Sequence, residues 1–315
     1  MAVWIHCFVG ILVGIMLSAW LEILSLSERS ALRMQSVSRS VRWQRTVVLV
    51  ILTSVLFGCL SGAEQVARVL ETPEVQPSEW GRACRLYYHL LLLSLLLVAT
   101  ALDFDCLVIP DQITVPGMVL GLLGAFVIGE LQICHLWVDW SFAIPQLRGP
   151  LIPEWYDHHR HWHALSWSFA GLFMGGAVTW CARELSSRVL GQEAMGFGDV
   201  TLMAMIGSFL GWQAILIVFL LAPIAGLTVG VMIKFVSGKT YLPYGPWLSM
   251  ATVFLLFRWG WLWRLTRVIF SDWVSVAILA GIGGLGFVSL LGLLLLYRKL
   301  PVYKITKPTV DSPMV

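Results

Sequence analysis

Nine apolar runs constrain this chain more than any other feature. They fall at 3–26, 46–62, 86–102, 113–129, 165–182, 200–213, 214–236, 246–263 and 274–297. A helix needs about 20 apolar residues to cross a bilayer, and several runs approach or exceed that length. The pattern predicts an all-α, polytopic transmembrane helix bundle of about 8–9 spans. The division near Gly211 and Trp212 splits one long apolar stretch, and a single bent segment there lowers the count. Composition agrees: 58% of residues are hydrophobic and 12% charged, where soluble domains carry ~25% charged residues. The sixteen Trp cluster near run ends, as in an aromatic belt.

The rest of the composition narrows the function classes. A net charge of +3 gives no footprint for nucleic acid. The six cysteines form no C-x-x-C pair, so no zinc-ribbon pattern exists, and most lie in or beside apolar runs as small hydrophobes. A cleavable signal peptide is not expected, since the first residues lack Lys and Arg and Val3 to Leu26 is long enough to remain a membrane helix.

Basic residues set the expected direction. Residues 27–45 hold Arg29, Arg33, Arg39, Arg42 and Arg45 against Glu28, which places that segment in the cytoplasm. Counting onward, the 63–85 and 130–164 connections are outside, and the 103–112 turn, the 183–199 segment and the tail are cytoplasmic. Arg258, Arg264 and Arg267 fit less well, because they fall near an outer end.

Two aspartate motifs stand at the edges of apolar runs. One runs from Asp103 through Asp105 and Pro110 to Asp111; the other is Met195-Gly196-Phe197-Gly198-Asp199. An ionised carboxylate at a membrane boundary is costly unless it has water, a partner or a function. Two spans separate the motifs, so both reach the same face and can converge. A carboxylate pair that shares one proton can polarise a water for peptide hydrolysis, one member acting as base and the other as acid. Gly196 and Gly198 leave room around Asp199. Pro110 disfavours helix at Ile109 and so sets Asp103 near a helix end. Asp103 and Asp105 point to roughly opposite sides of a helix, so at most one faces such a pair directly. Helix capping or a solvated interfacial acid is the competing reading for each, most of all for Asp105 and Asp111.

These motifs resemble those of the type IV prepilin peptidases, membrane aspartic proteases of the GxGD type. The first family motif, Asp-x-Asp-x-x-x-x-Pro-Asp before an apolar helix, is matched by Asp103, Asp105, Pro110 and Asp111, then Ile113 to Pro116. The second is matched by Glu193, Met195, Gly196, Gly198, Asp199 and Leu202, then Gly207, Gly211 and Trp212. A third lies at Leu242-Pro243-Tyr244-Gly245-Pro246. The resemblance implies Asp103 and Asp199 as the catalytic pair, with Asp105, Asp111, Gly196 and Gly198 in supporting positions and neither metal nor cofactor. It also implies prepilin or pseudopilin precursors as substrates, cut at the cytoplasmic face of the inner membrane.

The chain departs from the family pattern in four places. Thr201 stands where Lys is usual. Residues 27–45 are short and hold no Cys, unlike the zinc-bearing cytoplasmic region linked to N-methylation in the family, so cleavage without methyl transfer is expected. The 130–164 connection is long, and an extra apolar helix and tail follow the third motif. Three regions are therefore expected: 1–85 with N-terminal helices, 86–255 as the catalytic membrane domain, and 256–315 as an appended helix and tail.

Other readings predict other residues. A presenilin-like protease needs a Tyr-Asp first motif and a Pro-Ala-Leu signature, and neither is present. A transporter places acids in mid-span, whereas these sit at span ends. An inactive or repurposed assembly factor of the same fold is the alternative for which Thr201 and the long connection leave room, and retention of both Asp103 and Asp199 speaks against it. His158, His159, His161 and His163, beside Glu154 and Asp157, read as an interfacial aromatic loop rather than a metal site. Gly117/Gly121, Gly171/Gly175, Gly207/Gly211 and Gly226/Gly230 have the spacing of close helix packing in lipid.

Overall fold

The chain folds as a bundle in which nine α-helices and no strand occur among the described residues. The computed structural model describes residues 2–32, 38–137, 154–191, 193, 195–237 and 244–299. Part of the long connection (138–153), Leu242 and Pro243 of the third motif, and the tail from 300 onward lie outside them. The helices are α1 (Ala2–Ala31), α2 (Arg39–Ala67), α3 (Glu79–Cys106), α4 (Asp111–Ile128), α5 (Glu154–His158), α6 (Arg160–Leu190), α7 (Phe197–Ser237), α8 (Gly245–Phe270) and α9 (Trp273–Lys299).

Among the described residues, six helices are long and apolar enough to cross a membrane, or up to seven spans if the bent α8–α9 pair counts as one. This is a multi-pass membrane protein. The apolar window is 72% buried in α3 and in α7, against 28–33% in α1, α2, α4 and α6. Hence α3 and α7 form the centre, and the flanking helices turn residues such as Phe8, Met16, Ile51 and Val127 outward, toward lipid.

The runs at 200–213 and 214–236 both lie in α7, which breaks at Gly211 with φ 80° and ψ 170°. That conformation is open to glycine and strained for other residues. The break reverses the chain. Gly175 of α6 faces both the Met203 carbonyl and the Ile215 side chain, and Gly226 lies against Trp247 near the start of α8. At the turn itself, Trp212 and Gln213 donate to the backbone carbonyls of Leu136 and His135 in the connection after α4.

Glycines set the packing. A Cβ on Gly171 would stand 2.0 Å from the Gly207 carbonyl oxygen, and one on Gly207 would stand 2.1 Å from that of Gly171. The backbones of α6 and α7 therefore touch. On α4, a Cβ on Gly117 or Gly121 would meet Met205 and Ser208 of α7. Without bulky side chains at these points, dispersion contacts form along the helix length, which is the main attraction between helices in lipid.

At the end of α8, Asp272 accepts from the Val274 and Ser275 backbone amides at 3.2 Å each and starts α9. An N-cap of this kind satisfies donors that a helix leaves open. α9 departs from α8 at 104°, close to perpendicular.

The histidine-rich connection gathers at the N-terminal end of α6, the helix whose other end leads to Gly196. His161 bonds the Phe126 carbonyl at 2.7 Å, and His163 is buried edge-on to His135. Next to them, burial holds the His135 imidazole below its usual range. A second buried cluster, on α2 and α3, pairs Arg85 with Glu64 at 3.0 Å, and Glu64 also accepts from the Leu70 amide.

Candidate active site

Five chain segments converge at one end of the bundle. The last turn of α3 carries Asp103, and the helix closes at Leu107, whose amide donates to the Asp103 carbonyl at 3.0 Å. Leu107 sits in the left-handed region at φ 57°, a conformation that costs a residue with a Cβ about 1–2 kcal/mol. The chain then turns through Ile109 and Pro110, and α4 begins with the Ile113 amide donating to the Pro110 carbonyl. Proline supplies the extended entry, φ −73° and ψ 142°, from which the helix starts.

The second motif enters at the start of α7, with Asp199 in its first turn. Thr201 donates to the Gly198 carbonyl at 3.1 Å and holds that turn. Gly198 is the point where the two motifs meet. A Cβ there would lie 3.0 Å from the Ile109 Cβ and 3.1 Å from the Ile109 carbonyl oxygen. A side chain would wedge the GxGD turn away from the Asp103 turn, so glycine is needed for close approach. Asp199 folds back toward Gly196, its Oδ2 lying 3.7 Å from where a Cβ on Gly196 would stand.

The start of α8 completes the site. The Gly245 amide donates to Asp103 Oδ2 at 3.0 Å. Asp103 and Asp199 are both buried, and the charge of Asp103 acts on Asp199. Tyr244, the residue before α8, is within reach of the Asp199 charge. Burial first, and then the Asp199 charge, push its phenol above the usual range, so it stays protonated as a hydrogen-bond donor. Two buried carboxylates thus stand within electrostatic reach of each other at one end of the bundle, with the Gly245 amide on Asp103.

The remaining acids of the first motif do not join the pair. Asp105 forms an ion pair with Arg45 of α2, and its carbonyl accepts from Arg29 of α1 at 3.4 Å. It fastens the α1–α2 hairpin to the end of α3. Asp111 is exposed in the first turn of α4, where a negative charge suits the helix dipole. Gly196 is also exposed. The arginine-rich ends of α1 and α2 therefore lie at the same end of the bundle as Asp103 and Asp199.

Three contacts at this end have weak sequence signals or none. Arg183 of α6 donates through Nε to the Met195 carbonyl at 3.1 Å and through Nη2 to Glu193 at 3.2 Å, anchoring the segment that leads into Gly196. Arg45 counted only toward orientation. Gly245 belongs to the third motif, but no pattern within that motif names Asp103 as its partner.

Comparison with known proteins bears on the family. Residues 90–231 match the profile of the Type IV leader peptidase family. The chain is 29% identical over 178 residues to a Prepilin leader peptidase/N-methyltransferase of Aeromonas hydrophila, covering 54% of this chain and 49% of that protein. The protein of the same name from Pseudomonas putida is 29% identical over 168 residues, covering 52% and 47%. That from Pectobacterium carotovorum subsp. carotovorum is 28% identical over 178 residues, covering 56% and 52%. The chain spans about half the length of these curated relatives. No solved structure matches it.

Proposed function

We propose, from the premise that residues 90–231 are a type IV leader peptidase region, that this protein is a membrane aspartic endopeptidase that cleaves the leader from prepilin or pseudopilin precursors. The burial of Asp103 and Asp199 at one end of the bundle, with the two motifs touching at Gly198 and Ile109 and the Gly245 amide on Asp103, is the observation that carries the reading. Like charges this close do not both ionise cheaply, so the pair holds one proton and titrates as a unit. The ionised member takes a proton from a water as it attacks the scissile carbonyl, and the protonated member donates to the carbonyl oxygen. Gly196, exposed and without a side chain, leaves the edge of the pocket open to an extended substrate strand.

The catalytic unit in this reading is the 86–255 region, with 1–85 bracing the end of α3 through Arg45 and Asp105. The pocket faces the cytoplasm of the inner membrane, because the arginines of 27–45 share its end of the bundle. Cysteine substitutions at Gln112 and Glu193, in a variant without native cysteines, would both be labelled from the cytoplasmic side; labelling from opposite sides contradicts a shared pocket. The activity itself is tested with the purified protein in proteoliposomes and a prepilin precursor. The expected product is the precursor shortened by its leader, and an uncut precursor under conditions where a relative cuts it overturns the assignment.

A further inference from the structure

A basic cleft between α1 and α2 lies at the same end of the bundle as the aspartate pair but outside it. We propose that it binds the phosphate of an anionic phospholipid. The cavity measures ≈ 120 Å³ and is lined by Glu22, Ser25 and Arg29 from α1 and by Arg42, Arg45 and Thr46 from α2. Three guanidinium groups and the Glu22 carboxylate line it, and with the Asp105 carboxylate behind Arg45 counted, one positive charge remains over. Arg42 and Arg45 stand three residues apart and share one face of α2, as Ser25 and Arg29, four apart, share one face of α1.

Part of the cleft is already organised. Arg45 is held from behind by the Asp105 carboxylate, and Arg29 reaches the Asp105 carbonyl. Both side chains are thereby fixed by the end of α3 before any ligand arrives, which lowers the ordering cost of binding. Arg42 is exposed at the rim. Arginine offers a planar fork of donors that matches the oxygens of a phosphate, and a hydroxyl from Thr46 adds a further donor.

The surroundings favour a lipid over free phosphate. The outward surface of both helices next to the cleft is apolar. On α1 it presents Ile23 at 66% exposure and Leu26 at 56%, and on α2 Val48 at 61% and Ile51 at 58%. A ligand with its phosphate among the arginines would lay its acyl chains along this strip. Basic pockets between membrane helices on the positively charged side take anionic headgroups in this way. The site uses no group of the aspartate pair, so it does not depend on the peptidase reading.

Native mass spectrometry of the purified full chain tests it, counting phosphatidylglycerol retained against phosphatidylcholine at equal concentration. The protein is expected to retain phosphatidylglycerol preferentially, Arg42→Gln to lower that retention about fivefold, and Arg42→Lys to keep most of it. Arg42 is exposed and outside the aspartate pocket, so both variants should unfold at the parent temperature in phosphatidylcholine. Inorganic phosphate supplied at the lipid's concentration should not displace the lipid. Equal retention by the parent and Arg42→Gln overturns the site, and full displacement by inorganic phosphate at that concentration assigns it to free phosphate instead.

Discussion

Replacing Gly245 with alanine perturbs the proposed catalytic carboxylate and little else. The new Cβ would stand 2.5 Å from Asp103 Oδ2 and 2.9 Å from Ile109 Cδ1, where ordinary contact begins at 3.4 Å. Relief requires almost an ångström of movement. The atoms that can yield are the ends of two side chains rather than backbone, so α8 should keep its place and Asp103 should swing. That swing breaks the 3.0 Å bond from the Gly245 amide. A hydrogen bond to a charged group contributes about 1.5–3 kcal/mol, and each 1.4 kcal/mol is roughly tenfold in rate. A misplacement near 1 Å independently costs on the order of 100-fold. Gly245→Ala should therefore cut a prepilin precursor about 100-fold more slowly while accumulating in the membrane like the parent. Gly284→Ala on α9, where a Cβ meets nothing within 4 Å, is the control and should be unaffected. A Gly245→Ala protein that cuts within about threefold of the parent contradicts the placement of Asp103 against the α8 start.

Three further outcomes are expected. Gly171→Ala puts a Cβ 2.0 Å from a backbone oxygen of Gly207, which cannot rotate away; overpacking of this kind costs about 1–3 kcal/mol, read as a lower melting temperature and reduced accumulation in the membrane. Arg183→Ala frees the segment before Gly196 and should slow cleavage about tenfold, the worth of a charge-assisted hydrogen bond; Arg183→Lys should recover part of it, and Glu193→Gln should stay near the parent because the Met195 carbonyl contact persists. Mature pilin made by this protein alone should carry an unmodified terminal amine by mass spectrometry, since the residues joining α1 to α2 contain no cysteine or histidine with which to hold a zinc ion; a methyl adduct that depends on the protein overturns that expectation.

Local rules carried much of this architecture. Run lengths located the long helices, and Gly-x-x-x-Gly spacing marked positions of close helix packing without naming the partners; the structure pairs Gly171 of α6 with Gly207 of α7. The helical period separated Asp103 from Asp105, and the structure turns one to Gly245 and the other to Arg45. Long-range pairings were not legible. Arg45 and Asp105 lie on helices far apart in sequence, and arginine near a membrane helix end has an orientation reading that conceals a specific partner. The same holds for Arg183, whose carbonyl acceptor at Met195 has no residue signature. Burial of Gln132 and His135 at the opposite end depends on residues 129–137 lying against Gln213 of α7, and polar residues in a connection ordinarily read as exposed.

The central claim is that Asp103 and Asp199 act as one catalytic unit. Single Asp103→Asn and Asp199→Asn variants and the double variant, inserted to equal levels and assayed for leader cleavage in membranes, test it most directly. Residues that act together are non-additive, so each single variant should abolish cleavage and the double should be little worse than either. Near-parental cleavage by either single variant, or losses that multiply in the double, would contradict the account.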